Sequence, residues 1–446
     1  MNPTPTRWIV VIAISVSAFL CYAGPSSEPN GVASDPYNQH DLVIELLVPG
    51  GPLPFECFLA QHKPDMTWSA DIYNGTEVIG SGDDVEVVRH SDGIETVWDV
   101  QINLAHYDTV LTWTMIENPA STSYRGSGVL KKVRPSGTYE IQILVREATG
   151  GSWKSRRSSN TRFLPIESAA TKADFVGRWR AEFSSSKEPA IAVFDVDDDG
   201  FATGTFMTTT GDYRYLAGRV DGDLLRLSVF DGAHSFLFHA KMLPDGSIAG
   251  DFWSGNWWHE TWTATRDDDF QLPDAFAGTS WVEGETIDDL VFSDLDGKPQ
   301  SVTELLDKQG GSIRVLEIFG TWCPNCTDAA RDLKTLQEKY GDRGFTVLGL
   351  AFEHTDDMQR STRMVRAYKE RYGLDWPVLV AGLSSKKKAS LVLPFLDGVR
   401  TFPTLIFLNE HNEPLAIHAG YTGSATGDAY EDMIQKFTSI IENNLE

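Results

Sequence analysis

The pattern of this chain predicts two all-β modules, barrel- or sandwich-like, followed by a separate α/β domain. Three observations carry that reading. Short apolar segments, often alternating, are separated by turn residues from Leu42 to about Phe163 and again from about Lys172 to Arg266. Strand-like and helix-like segments then alternate beyond Trp281. The chain has 446 residues, too many for one compact core, and its 13 Trp and 38 Gly suit β architecture rich in turns. The formal charge of −25, from 63 acidic and 38 basic residues, favours solubility and argues against a nucleic-acid partner, which requires a basic footprint.

The N-terminus, "MNPTPTRWIVVIAISVSAFLCYAG", places Arg7 before an apolar run from Trp8 to Leu20 and offers small residues up to Ala23. It reads as a secretory signal peptide over 1–23, because the run is short for a membrane span of about 20 residues. A periplasmic or secreted location follows. Lipoprotein processing at Cys21 ranks second, since Phe19 and Leu20 are bulky where that cleavage wants small residues. Residues 24–40, rich in Pro, Ser, Asn and Gly, read as a linker.

The first β module is expected over 41–165, ending in the polar stretch "EATGGSWKSRRSSNTR". "NGT" at 74–76 fits a glycosylation acceptor and equally a hairpin turn. Cys57, flanked by apolar residues, is expected to be a buried free thiol. The second module is expected over 171–266. At an offset of 123 residues, "VQINLAHYDTVLTW" lines up with "DLLRLSVFDGAHSF", and a Gly-bearing strand follows each, which suggests a weak internal repeat. "DVDDDG" at 195–200 matches the start of an EF-hand loop, but position twelve is Phe206, and an acidic hairpin turn is the better reading. Trp253, Trp257, Trp258 and Trp262 cluster, and a core role is favoured over a binding surface.

After the acidic linker "RDDDFQLPDAF", the α/β domain is expected over 275–446. Its chemistry sits in "EIFGTWCPNCTDAA", residues 317–330. Cys323 follows an apolar strand and opens a helix, whose N-terminal N–H groups and dipole favour a thiolate. Cys326 lies one turn further on, Trp322 shields one side, and Pro324 occupies the first helical turn, where a missing N–H costs nothing. This makes Cys323 the exposed attacking thiol and Cys326 the resolving one. No second Cys pair or spaced His supplies a metal site, and a disulfide closing a two-residue gap constrains little. The pair therefore reads as a redox-active disulfide, with no metal and no cofactor.

"WCPNC" after an apolar strand, with a later "RTFPTLIF", resembles the thioredoxin superfamily. Together with "DDLVFSDLDGKPQSVTELL" and "ASLVLPFLDGV", the chain from about 279 to 446 is similar to TlpA-like extracytoplasmic thiol–disulfide oxidoreductases. The resemblance implies a cis-proline at Pro403, with the backbone of Phe402 offered to an extended substrate. It makes Trp322, Pro324, Phe402 and Pro403 the substrate-binding set. It further implies that Glu317 is a buried carboxylate taking the proton from Cys326; strand alternation alone leaves the depth of Glu317 open. Two departures matter: Ala329 stands where many such proteins carry Glu, and Gly349 or a neighbour replaces a buried Lys. Proton handling then concentrates in Glu317, with Glu353 a distant second candidate. Protein thiols and disulfides are the implied partners, and a membrane thiol reductase the implied electron donor. Pro-Asn between the cysteines adds no positive charge, which tilts the expectation toward reduction of protein disulfides. The alternatives are a ligand- or partner-binding β protein with a vestigial thioredoxin domain, and a thiol peroxidase. The latter lacks its required Thr and Pro, since Gly320 and Leu316 hold those positions.

Overall fold

A computed structural model describes residues 38–75, 77–80, 84–91, 95–117, 124–134, 136–148, 162–166 and 173–445. The expected signal peptide, Cys21 and residues 24–37 of the expected linker lie outside them. The described residues all fall within one compact unit.

The first module is a nine-stranded antiparallel sheet: β1 (Asn38–Val48), β2 (Gly51–Gln61), β3 (Trp68–Asn74), β4 (Glu77–Gly80), β5 (Val85–Ser91), β6 (Thr96–Leu104), β7 (Thr109–Glu117), β8 (Tyr124–Arg134) and β9 (Gly137–Glu147). Its order is β4-β3-β2-β1-β9-β8-β7-β6-β5. Alternate residues point inward, as His40, Leu42, Ile44 and Leu46 do on β1. Residues 38–40, expected as linker, are therefore strand: His40 is buried against Trp68, Trp98 and Tyr124. Cys57 is buried in the same core, and burial pushes its thiol pKa up.

The second module contains β10 (Gly177–Phe183), β11 (Ala190–Val196), β12 (Phe201–Thr208), β13 (Gly211–Asp212), β14 (Leu216–Asp221), β15 (Leu224–Phe230), β16 (Ser235–Met242), β17 (Ile248–Ser254) and β18 (Trp258–Arg266). Here β11 pairs with β12, β12 with β14, and β10 with β18, so eight strands close into an antiparallel barrel. Phe183, Phe194, Phe206, Phe238, Phe252 and Trp262 fill it. "DVDDDG" forms the β11–β12 turn, where Asp197 accepts from the Phe201 N–H at 2.9 Å.

Strand for strand, the two sheets share one order: the four-strand runs β6–β9 and β15–β18 each end on a strand that pairs with the first strand of its own module. The stretches aligned at the 123-residue offset fall in these same two runs.

The modules are joined by buried polar contacts. The Asn74 side-chain amide donates to the Phe230 carbonyl at 2.9 Å and accepts from the Phe230 N–H at 3.1 Å. Asn74 is wholly buried, which removes the glycosylation reading. Arg162, at the end of the expected polar stretch, is also buried and donates to the carbonyls of Ser228 and Tyr73. The tryptophan cluster divides. Trp262 is barrel core, Trp253 of β17 and Trp257 of the following turn pack against the first module, and Trp258, at the first residue of β18, is exposed although it shares the parity of Trp262.

The C-terminal domain has a seven-stranded mixed sheet, order β20-β19-β23-β22-β21-β24-β25. Its elements are β19 (Val291–Ser293), β20 (Pro299–Ser301), α1 (Val302–Gln309), β21 (Ile313–Phe319), α2 (Pro324–Tyr340), β22 (Phe345–Glu353), α3 (Met358–Tyr372), β23 (Val378–Leu383), α4 (Lys386–Val392), β24 (Thr404–Asn409), β25 (Pro414–Ala419) and α5 (Asp428–Asn444). β21 runs parallel to β22 and antiparallel to β24, and all of its residues are buried. This interior strand thus ends just before α2, delivering the cysteines to one end of the sheet.

Candidate active site

Cys323 is the N-cap of α2. Its backbone is extended, and its sulfur accepts the Cys326 N–H at 3.3 Å. Pro324 fills the first helical turn, so the N–H it lacks is one that helix geometry leaves unpaired. Both cysteines are free thiols here. Cys326 is completely buried, and burial, then the neighbouring Cys323, hold its thiol pKa well above the ordinary range.

Cys323 retains only 6% exposure, so the exposed thiol expected from the sequence is not what this conformation presents. Beside it, chain from the second module reaches the first turns of α2. Asn325 reaches the Asp212 carboxylate at 3.3 Å, and Arg214 pairs with Asp328 of α2.

The Phe402–Pro403 peptide is cis. The Cys323 thiol donates to the Phe402 carbonyl at 3.6 Å, so the two expected halves of the site adjoin. Trp322 closes another side. Its indole N–H donates to the Phe352 carbonyl at 2.8 Å, its ring stacks on His354, and it meets Phe402 edge-on.

Glu317 sits in the middle of β21, between Gly349 of β22 and Leu405 of β24. It is buried, neither carboxylate oxygen has a hydrogen-bond partner among the described residues, and desolvation raises its pKa to about 8. Its charge is among the influences that raise Cys326. A carboxyl that exchanges its proton near neutral pH therefore lies within electrostatic reach of the deeper thiol.

Glu353, at the end of β22, takes a different part. It accepts from the Thr321 N–H at 3.0 Å and the Thr321 hydroxyl at 2.8 Å, clamping the loop just before the cysteines. Burial raises its pKa to about 7, against those two bonds. In sequence Glu353 is only a remote acid, and nothing in its neighbourhood signals the clamp. Tyr368 of α3 also escapes sequence reasoning; its hydroxyl donates to the Cys326 carbonyl at 3.3 Å.

Residues 282–422 match the Redoxin family. The C-terminal domain belongs to the thioredoxin superfamily. The cysteines, Glu317 and Pro403 all fall inside the matched Redoxin span. The thiol-disulfide oxidoreductase ResA of Halalkalibacterium halodurans is 26% identical over 159 residues, covering 36% of this chain and 77% of that protein. The thioredoxin-like protein YneN of Bacillus subtilis is 26% identical over 138 residues, covering 31% of this chain and 72% of that protein. Among solved structures, a thioredoxin-family thiol:disulfide interchange protein from Chlorobium tepidum is similar at 20% identity with a TM-score of 0.27, covering 37% of this chain and 100% of that one.

Proposed function

We propose that this protein is a thiol–disulfide oxidoreductase that reduces protein disulfides through Cys323 and Cys326. The Cys323 thiolate attacks one sulfur of a substrate disulfide, forming a mixed disulfide and releasing the other sulfur as a thiolate. Glu317 takes the proton from Cys326. The Cys326 thiolate then attacks the Cys323 sulfur, expelling the second substrate thiolate and leaving the Cys323–Cys326 disulfide. Two electrons pass to the substrate, and a membrane thiol reductase restores the pair. Trp322 and Pro324 wall the site, while Phe402 and Pro403 present a backbone edge to an extended substrate segment. The reaction takes place outside the cytoplasm, following export by the leader over 1–23.

The observation that carries this reading is Cys323 as helix N-cap, its sulfur receiving the Cys326 N–H at 3.3 Å. The named activity of ResA supports the same reaction class. Replacing Cys323 by Ser should abolish reduction of insulin by the pre-reduced protein; undiminished reduction would sink the reading. A reductant should poise the pair below about −230 mV, whereas a value near −120 mV would reverse the direction of electron flow.

A further inference from the structure

The segment Thr208–Tyr215 of the second module, from the end of β12 to just before β14, contacts the loop before Pro403 at Thr401, the first turn of α2 at Asn325 and the loop after β25 at Gly423. The Thr401 hydroxyl, next to the Phe402 edge, donates to the Thr210 carbonyl at 2.9 Å. The Asp212 carboxylate accepts from the Gly423 N–H at 3.0 Å and from the Asn325 amide at 3.3 Å. The Tyr215 hydroxyl meets Ser424, and the backbone of Thr209 and Thr210 stands 3.3 Å from where a Cβ on Gly420 would be. Gly211 fits only because it lacks a side chain, since a Cβ there would strike the Asn325 amide.

Arg214 fastens this segment. It is buried, with Asp328 of α2, Glu77 of β4 and Asp231 of the second barrel around its guanidinium. Thr401, bonded to the Thr210 carbonyl, and Phe402, which also packs on Trp322 and Phe352 of its own domain, are 3% and 7% exposed. A substrate strand needs unpaired backbone beside it to add to an edge. Here that space is taken by the protein's own chain.

We propose that Thr208–Tyr215 is a specificity-determining lid latched by Arg214. Seated, it keeps an extended protein segment off the Phe402 edge while a small disulfide still reaches the residual opening at Cys323. Protein disulfides are reduced only from the lifted form. This rests on the exchange reaction proposed above.

The test uses the full chain, pre-reduced, against a small aromatic disulfide, 5,5′-dithiobis(2-nitrobenzoate), and against insulin. Arg214→Ala removes the latch, and Gly211→Val wedges the segment off Asn325. Each folded variant should reduce insulin about tenfold faster, the gain when an open form populated at about one-tenth becomes dominant. The small-disulfide rate should stay within about threefold of wild type on the same argument. An unchanged insulin rate, or equal gains for both substrates, overturns the lid. A wild-type chain inert toward both disulfides overturns the exchange reading instead. If the variants fail to fold, hydrogen exchange decides. Cys323 of Cys326→Ser, attacking a peptide whose cysteine is activated as its mixed disulfide with 5-thio-2-nitrobenzoate and releasing 5-thio-2-nitrobenzoate, forms a protein–peptide disulfide; this should strip protection from the amides of 209–215, and retained protection there overturns the proposal.

Discussion

At the scale of single residues, Glu317 is the most consequential placement. Its carboxyl is raised from 4.5 to about 8 by burial alone, so the folded state holds its proton more tightly than the unfolded chain. The stabilisation from that bound proton is complete below about pH 4.5, and it is lost as the pH rises through about 8. Each pH unit between those two values is worth about 1.36 kcal/mol, so the cost at pH 9 is on the order of 5 kcal/mol. Glu317→Gln cannot ionise, so its urea midpoint should gain on wild type between pH 5 and pH 9. A midpoint difference that stays constant over that range would refute the assignment. The same variant should slow resolution of a mixed disulfide about 10- to 100-fold, with the Cys323 attack unchanged, as expected when a general base is removed. The depth of Glu317 is not readable from alternation. β21 is covered on both faces, and a strand buried on both sides has no polar face against which a residue can be phased. Its burial is expected only from the superfamily resemblance.

Elements set how firmly the cysteines are held. The turn from β21 into α2 contains Gly320 and Thr321, and it is pinned from the neighbouring strand by Glu353. Glu353→Ala strands the Thr321 N–H and hydroxyl in a buried place, at a cost of about 1–3 kcal/mol. We expect that variant to lower the unfolding midpoint and to slow disulfide reduction about tenfold, because small displacements of a reacting group are expensive. Glu353→Gln, which still offers an acceptor, should retain most of the activity. Equal losses in both variants would point to the charge and not the clamp. The strands and helices of the C-terminal domain were legible because their apolar spacing is local. The hairpin turns of the β modules were legible for the same reason, down to the Asp197 turn.

In the whole molecule, the two β modules face one another through equivalent positions. Thr109 and Gly232, which correspond under the 123-residue offset, touch through a 2.7 Å hydrogen bond. Asn74 is a further contact of this joint, and Asn74→Ala would leave the Phe230 N–H and carbonyl buried and unpaired. Denaturant unfolding should then lose about 2 kcal/mol from the transition of the β modules. A loss below about 0.5 kcal/mol, the range of ordinary surface substitutions, would mean that Asn74 is not a structural contact.

What the sequence determined by itself is whatever depends on near neighbours. The fold class, the thiol pair at a helix start and Pro403 before a strand are all written within short windows. The tertiary structure alone decided that Cys323 is covered, that Arg162 and Asn74 lock two modules, and that Arg214 joins three parts of the chain at α2. Thr210 and Thr401 are 191 residues apart. A contact over that distance leaves no mark in the local pattern at either end, because a threonine hydroxyl bonded to a remote carbonyl looks, in sequence, like any surface threonine.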